Sequence, residues 1–142
     1  TNTLLVWSGS SSLQASIGSS LVSHSSGIFS FSATGIYLIQ IDAYYEMQAN
    51  DGQSRRLQMT TQKSTDGGSN YSNISLFENS VPNSDGGEKN KGLLTGRFTL
   101  DVTNTTNDRV RILHYIQSNA AYVQGTSGLD ETIIQFSKIA ET

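Results

Sequence analysis

Hydrophobic and polar residues alternate along much of this chain with a period of two, which is the period of a β-strand. The longest such run is 36–47. Its odd positions are almost purely apolar, whereas its even positions mix apolar with polar residues: Tyr37, Ile39, Ile41, Ala43 and Tyr45 against Ile36, Leu38, Gln40, Asp42, Tyr44 and Glu46. We therefore expect the odd positions to point into a core and the even positions to point outward.

Shorter runs of β-branched and aromatic residues, bounded by Gly, Asn, Asp and Ser, predict further strands, and no segment has helical periodicity. The predicted strands are 3–7, 28–31, 55–63, 71–77, 93–102, 110–116, 121–123 and 133–139. The Ser-rich residues 8–26 are either a flexible linker or a short strand with loops. Residues 78–92 and 117–130 are predicted as exposed loops. The pattern shows no repeat and no domain boundary, and it favours one antiparallel sandwich or barrel domain over 1–142.

Composition narrows the function classes. The chain has 142 residues, no cysteine, a net charge of −3 and 15% charged residues, against about 25% in a typical domain. Without cysteine, disulfides and thiolate metal sites are excluded. Arg55, Arg56, Arg109 and Arg111 form no basic stripe, so we expect no nucleic-acid partner and predict that they pair with nearby acids. No apolar run approaches the ~20 residues of a membrane span, so we expect no membrane insertion.

Candidate catalytic and metal-binding residues are few. His24 lies in the Ser-rich segment, and His114 is on the predicted inward side of its strand, where a core role is favoured over catalysis. There is no G-x-S-x-G nucleophile turn, P-loop or His-Glu metal motif. Asp66 and Asp85 each begin an Asp-Gly-Gly sequence, which favours turns over calcium sites, since calcium needs six to eight oxygen ligands. We expect no enzyme activity, no metal and no cofactor.

Three segments of the chain resemble motifs of a known family and occur in the same order as in that family. Residues 27–39 are G-I-F-S-F-S-A-T-G-I-Y-L-I, residues 106–112 are T-N-D-R-V-R-I, and residues 132–139 are T-I-I-Q-F-S-K-I. They resemble the "G-x-F-x-x-x-x-x-G-x-Y" approach to the central strand, the "G-D-x-V-x-L" turn and the last strand of the tumour necrosis factor and complement globular-head superfamily. Asn107 replaces the usual glycine of the second motif, and the usual glycine near Gln135 is also missing.

The resemblance implies a ten-strand antiparallel jelly-roll sandwich that assembles as a homotrimer around the outward face of the central strand. The interface candidates on this sequence are Leu38, Gln40, Asp42, Tyr44, Leu93, Leu113, Tyr115, Ile133 and Gln135. The alternative is that Gln40 and Asp42 are merely solvated. Full burial of an apolar side chain such as Leu38 is worth about 1.5–3 kcal/mol, which favours the interface.

The Ser-, Thr-, Asn- and Gly-rich texture, with segments 64–68 and 100–107, resembles bacteriophage structural proteins. We therefore expect a non-enzymatic virion structural protein, a trimeric capsid decoration or surface knob at the virion surface, whose partner is the major capsid protein or a fibre shaft. The alternative is a receptor- or glycan-binding fibre tip that holds a host surface glycan on loops 78–92 and 117–130, with Tyr71 or Tyr122 stacking on sugar. An enzyme is the third and least supported interpretation.

Overall fold

The computed structural model describes residues 3–4, 21–47, 55–81, 90–117, 121–124 and 132–142. This part of the chain is all-β and contains no helix. Eight strands have four residues or more, and β1 and β9 are shorter. The strands are β1 (Thr3–Leu4), β2 (Val22–Ser25), β3 (Ile28–Phe31), β4 (Gly35–Met47), β5 (Arg55–Ser64), β6 (Ser72–Val81), β7 (Lys91–Val102), β8 (Arg109–Ile116), β9 (Ala121–Val123) and β10 (Ile133–Ala140).

The strands form two antiparallel sheets. The first sheet has the order β2-β3-β8-β5-β6, and β1 pairs with the far part of β8. The second sheet has the order β10-β4-β7, and β9 pairs with the end of β4 beyond β10. The apolar faces of the two sheets lie against each other, so the domain is a sandwich, and its long strands β4 and β7 alternate between core and outside.

The core confirms the predicted phase of the strands. The odd positions of β4 from Tyr37 to Met47 are at most 1% exposed. The first sheet contributes buried side chains from β5 and β8, and the second contributes buried side chains from β7; these are Leu57, Met59, Val110, Ile112, Leu94, Leu100 and Val102. Because side chains alternate across a strand, the even positions of β4 must point away from this core.

The predicted loop 78–92 is wrong at both ends. Strand β6 continues through Val81, and β7 already begins at Lys91. Residues 78–80 are polar and exposed because β6 is an edge strand, so nothing in their composition indicates a strand, yet they pair in register with β5. In the Ser-rich segment, Val22–Ser25 is strand β2. Residues 5–20 and 82–89, including Asp85, lie outside the described residues.

Two glycines of β7 let the sheets approach each other along one side of the sandwich. A Cβ on Gly96 would overlap the ring of Phe77 on β6, and a Cβ on Gly92 would lie 2.5 Å from Val81 Cγ2. The Phe77 ring also packs near Phe98, with 6.1 Å between centroids. The absence of side chains at these glycines therefore lets β6 of the first sheet close against β7 of the second.

Candidate functional site

The outward face of the second sheet is the surface that the sequence predicts as an interface. Cross-strand pairs share a face, so the register defines it: Tyr44 pairs with Leu93, Asp42 pairs with Ile133, and Gln40 pairs with Gln135. We name this surface the β4 face. It consists of Ile36, Leu38, Gln40, Asp42, Tyr44, Leu93, Thr95, Arg97, Thr99, Ile133, Gln135 and Ser137.

The structure brings together seven of the nine predicted interface residues and separates the other two. Leu113 and Tyr115 lie on β8, which belongs to the first sheet. Because Val110 and Ile112 of β8 point into the core, Leu113 and Tyr115 point outward on the opposite side of the sandwich from Leu38. Alternation along a strand predicts which residues face outward, but it carries no information about which sheet the strand joins.

One end of the β4 face is apolar and open to solvent. Tyr44, Leu93 and Ile133 are 40%, 41% and 40% exposed. They are neighbours on the face. Tyr44 lies directly across from Leu93, and Ile133 lies across from Asp42, two residues before Tyr44 on the same strand. Leu38, further along β4, is half-buried. A contiguous group of large apolar side chains on one sheet face is a feature of interaction surfaces.

The centre of the β4 face is polar, and its hydrogen bonds are made within the face. Gln40 Nε2 donates to Asp42 Oδ2 at 2.7 Å, and Thr95 Oγ1 donates to Asp42 Oδ1 at 2.9 Å. Both carboxylate oxygens therefore already have a donor. A partner could cover Asp42 without leaving either oxygen unsatisfied, which lowers the cost of burying it.

The apolar end is anchored by a network that the sequence does not reveal. The buried Thr132 hydroxyl accepts from the backbone N–H of Tyr44 at 3.2 Å and donates to the carbonyl of Gln124 at 2.7 Å. The Gln124 N–H in turn donates to the carbonyl of Tyr44 at 2.7 Å. These bonds fix the backbone that carries Tyr44 and Ile133, so the apolar end is held in place before any partner arrives.

The two histidines lie in structural settings. His114 is on the inward side of β8, across from the buried Met59, and its Nδ1 is buried without a hydrogen-bond partner. Burial lowers the pKa of His114. His24 Nε2 accepts from the N–H of Gly27 at 3.1 Å, its ring packs 4.9 Å from that of Phe29, and burial lowers its pKa also. The inward position predicted for His114 is confirmed.

The Asp66 turn uses its own carboxylate. Oδ1 accepts from the Asn70 N–H at 2.9 Å and from the Ser64 hydroxyl at 2.7 Å, and Oδ2 accepts from Asn70 Nδ2 at 2.7 Å. These hydrogen bonds, led by that from the Asn70 backbone, hold the pKa of Asp66 well below its usual range. Within the described ranges, no three His, Cys, Asp or Glu residues are grouped so that they could hold a metal ion.

Within the described residues, Arg56, Arg109 and Arg111 contact neutral groups, not the acids that the sequence predicts; the Arg55 side chain lies outside the described residues. Arg109 Nη1 donates to the carbonyls of Thr105 and Asp108, at 3.0 and 2.7 Å. Arg56 lies over the Tyr115 ring at 5.5 Å. Arg111 donates through Nε to Gln62 Oε1 at 2.7 Å. The partners of these three arginines are therefore backbone carbonyls, a side-chain amide and an aromatic ring. These neutral groups take the place of the carboxylates that the sequence predicts.

Of the two predicted sugar-stacking residues, only Tyr71 can be placed. Its ring is half-buried and lies 3.9 Å from the Arg111 guanidinium carbon, so one of its faces is already covered. The Tyr122 side chain lies outside the described residues, as do residues 82–89, 118–120 and 125–130 of the predicted binding loops.

Comparison with known proteins adds no family. No protein-family model matches the chain, and no curated protein matches it. In the described ranges there is also no helix long and apolar enough to cross a membrane. The sandwich fold and the β4 face are therefore the features of the molecule that bear on its function.

Proposed function

We propose that this chain is a non-enzymatic structural module that assembles as a homotrimer through the β4 face. Its fold would be a jelly roll of the tumour necrosis factor and complement globular-head kind. Its place would be the surface of a bacteriophage virion, as a capsid decoration or knob domain attached to the major capsid protein or a fibre shaft. The observation that carries the proposal is the exposed apolar end of the β4 face.

The strand order supports the jelly-roll part of the proposal. From β3 to β5 the chain passes from the first sheet to the second and back, and from β6 to β8 it does so again. The long strand β4 lies at the centre of the second sheet, between β10 and β7. Repeated crossing between two antiparallel sheets is a feature of Greek-key sandwiches, the group to which the jelly roll belongs.

The energetics of the β4 face support association. Tyr44, Leu93 and Ile133 each keep about two-fifths of their surface in water. Full burial of such side chains is worth about 1.5–3 kcal/mol each, so covering what remains exposed recovers a substantial fraction of that for each residue. Because a threefold assembly buries the same face on every chain, the gain is repeated in each interface.

Composition supports the virion part of the proposal. The chain is polar with few charges, 15% of its residues, and its polarity comes mainly from Ser, Thr, Asn, Gln and Gly. The same texture characterises the bacteriophage structural proteins that it resembles. Gold-labelled antibodies against the purified chain should bind intact virions of the phage that encodes it in electron micrographs. Labelling confined to soluble material would contradict a virion location.

Two matched leucines test the interface. Leu38 and Leu113 are both half-buried and point outward from central strands, but they lie on opposite sides of the sandwich. Leu38→Asp should dissociate the trimer in sedimentation velocity, because burying an unpaired carboxylate costs several kcal/mol. Leu113→Asp should stay trimeric. If Leu38→Asp is folded and remains trimeric, the β4 face is not the interface.

A further inference from the structure

The outward face of the first sheet carries a row of polar side chains that crosses three strands, β6, β5 and β8. Asn73 of β6 lies across from Gln62 of β5, Gln62 lies across from Arg111 of β8, and Arg111 lies across from Ile28 of β3. Gln62 Nε2 donates to Asn73 Oδ1 at 2.7 Å, and Arg111 Nε donates to Gln62 Oε1 at 2.7 Å. The row therefore fixes Arg111 from one side.

Tyr71 fixes the same guanidinium from another direction. The guanidinium carbon lies 3.9 Å from the centroid of the Tyr71 ring, which is close contact for a cation–π pair. Each of these contacts removes rotamer freedom from a long side chain before any ligand arrives. Arg111 is thus preorganised, and preorganisation lowers the entropic cost of binding.

The fixed guanidinium still has unused donors. Nε makes the bond to Gln62, while the two terminal nitrogens make no hydrogen bond within the described part of the chain. Neither terminal nitrogen is among the buried polar atoms that lack a partner, so both are open to solvent. Terminal Arg nitrogens form a planar fork that matches the two oxygens of a carboxylate. Arg109, two residues away on the same face, adds a second positive charge.

We propose that Arg111 is the centre of a binding site for the carboxylate of an acidic sugar, such as a uronic acid. Two neutral groups on the same face are suited to sugar hydroxyls: the exposed Asn73, whose Nδ2 makes no hydrogen bond in the described residues, and Ser30, which lies across from Arg109. The Asp66 carboxylate, in the turn that precedes Tyr71, already accepts hydrogen bonds from Ser64 and Asn70. The site lies opposite the β4 face and does not depend on the trimer.

A matched pair of ligands tests the site. Methyl β-glucuronide and methyl β-glucoside differ only in the carboxylate. In an NMR titration that follows the Arg111 Nε–H signal, the glucuronide should bind saturably. The glucoside should bind at least about tenfold more weakly, because it lacks the carboxylate and so loses at least one charge-assisted hydrogen bond to Arg111. Absence of saturable glucuronide binding, or equal binding of both ligands, overturns the proposal.

Three variants test whether glucuronide binding needs the planar guanidinium group of Arg111 or only its positive charge. Arg111→Lys keeps the charge but loses the planar fork, and should weaken glucuronide binding about tenfold or more. The control, Arg56→Lys, alters the other arginine on a tyrosine ring and should leave binding unchanged. Asn73→Asp changes only an exposed residue, so folding is not at risk. Its carboxylate should abolish glucuronide binding through repulsion, and binding that persists there contradicts the site.

A third ligand decides the chemical class. N-acetylglutamate amide presents a carboxylate without sugar hydroxyls, so it should bind more weakly than the glucuronide. If it binds as tightly, the site is not one for an acidic sugar. If the chain is monomeric yet binds the glucuronide through Arg111, the trimer proposal fails and this one stands.

Discussion

At the scale of single residues, the clearest stabilising contact is made by a buried acid, the aspartate of the turn segment 106–112. Asp108 is 1% exposed. Its Oδ2 accepts from the N–H groups of Thr103 and Asn104, at 2.8 and 3.2 Å, and lies 3.2 Å from Lys63 Nζ. One carboxylate therefore ties the turn between β7 and β8 to the end of β5.

Removal of this charge should destabilise the fold. Asp108→Asn keeps the shape but leaves Lys63 without its ionic partner and weakens the bonds to the turn. We expect a loss of about 1.5–3 kcal/mol in the free energy of unfolding, measured by urea denaturation. Asp101→Asn alters an exposed carboxylate at the end of β7 and serves as control. Equal stability of the two variants would show that the buried contacts contribute nothing.

The half-buried His114 predicts how stability depends on pH. Because burial lowers the pKa of His114 in the folded chain, the unfolded chain binds the proton more readily. Stability should therefore fall as the pH drops below about 6.5, the ordinary histidine value. His24 adds to the same fall, since burial lowers its pKa also. Asp66, whose pKa is depressed, contributes only in a separate window below the ordinary pKa of a carboxyl group.

Thermal melts between about pH 7.5 and pH 5 test this assignment. His114→Leu should flatten the decline in melting temperature, because the group that must take up a proton is gone. His24→Gln, on the edge strand β2, should flatten it less. An unchanged decline in His114→Leu would mean that other groups control the acid response.

Residue-level prediction worked where alternation decides the environment. The inward set of β4 and the inward side of His114 follow from period two alone. It failed for the arginines because a sequence does not show which acceptor a long side chain reaches. Arg109 reaches the carbonyls of Thr105 and Asp108, which are set by the turn and not by any acidic neighbour in the sequence.

At the scale of elements, β6 and β7 meet where a glycine replaces a side chain. A methyl group on Gly96 would overlap the Phe77 ring. Gly96→Ala should therefore cost about 1–3 kcal/mol of stability, the usual cost of overpacking a core. In a Phe77→Ala background the ring and its Cγ are gone, so the same substitution should cost less. A double-mutant cycle by urea denaturation measures the difference, and strict additivity would contradict this contact.

Strand positions were more predictable than strand ends and sheet membership. Every predicted strand that lies fully within the described residues is present, because each contains an apolar alternation. Residues 78–81 were missed since three of the four are polar, and their pairing with β5 is a tertiary effect. The alternation predicts that Leu113 points outward, but it does not predict which sheet β8 joins. The sequence therefore places Leu113 in the same interface as Leu38, although the two lie on different sheets.

At the scale of the whole molecule, the two outward faces of the sandwich have different characters. The β4 face has an apolar end around Tyr44 and a centre whose polar groups bind one another. The opposite face presents arginines held by rings and amides. We assign self-association to the first and binding of an acidic sugar to the second. The assignments are independent, since the faces lie on different sheets.

The molar mass of the purified chain in solution, measured by multi-angle light scattering over a range of concentrations, tests the central claim most directly. We predict a mass three times that of one chain, stable on dilution, because the β4 face would be buried on every chain. A mass of one chain at all concentrations would contradict the trimer, and the exposed apolar end of the β4 face would then require another partner.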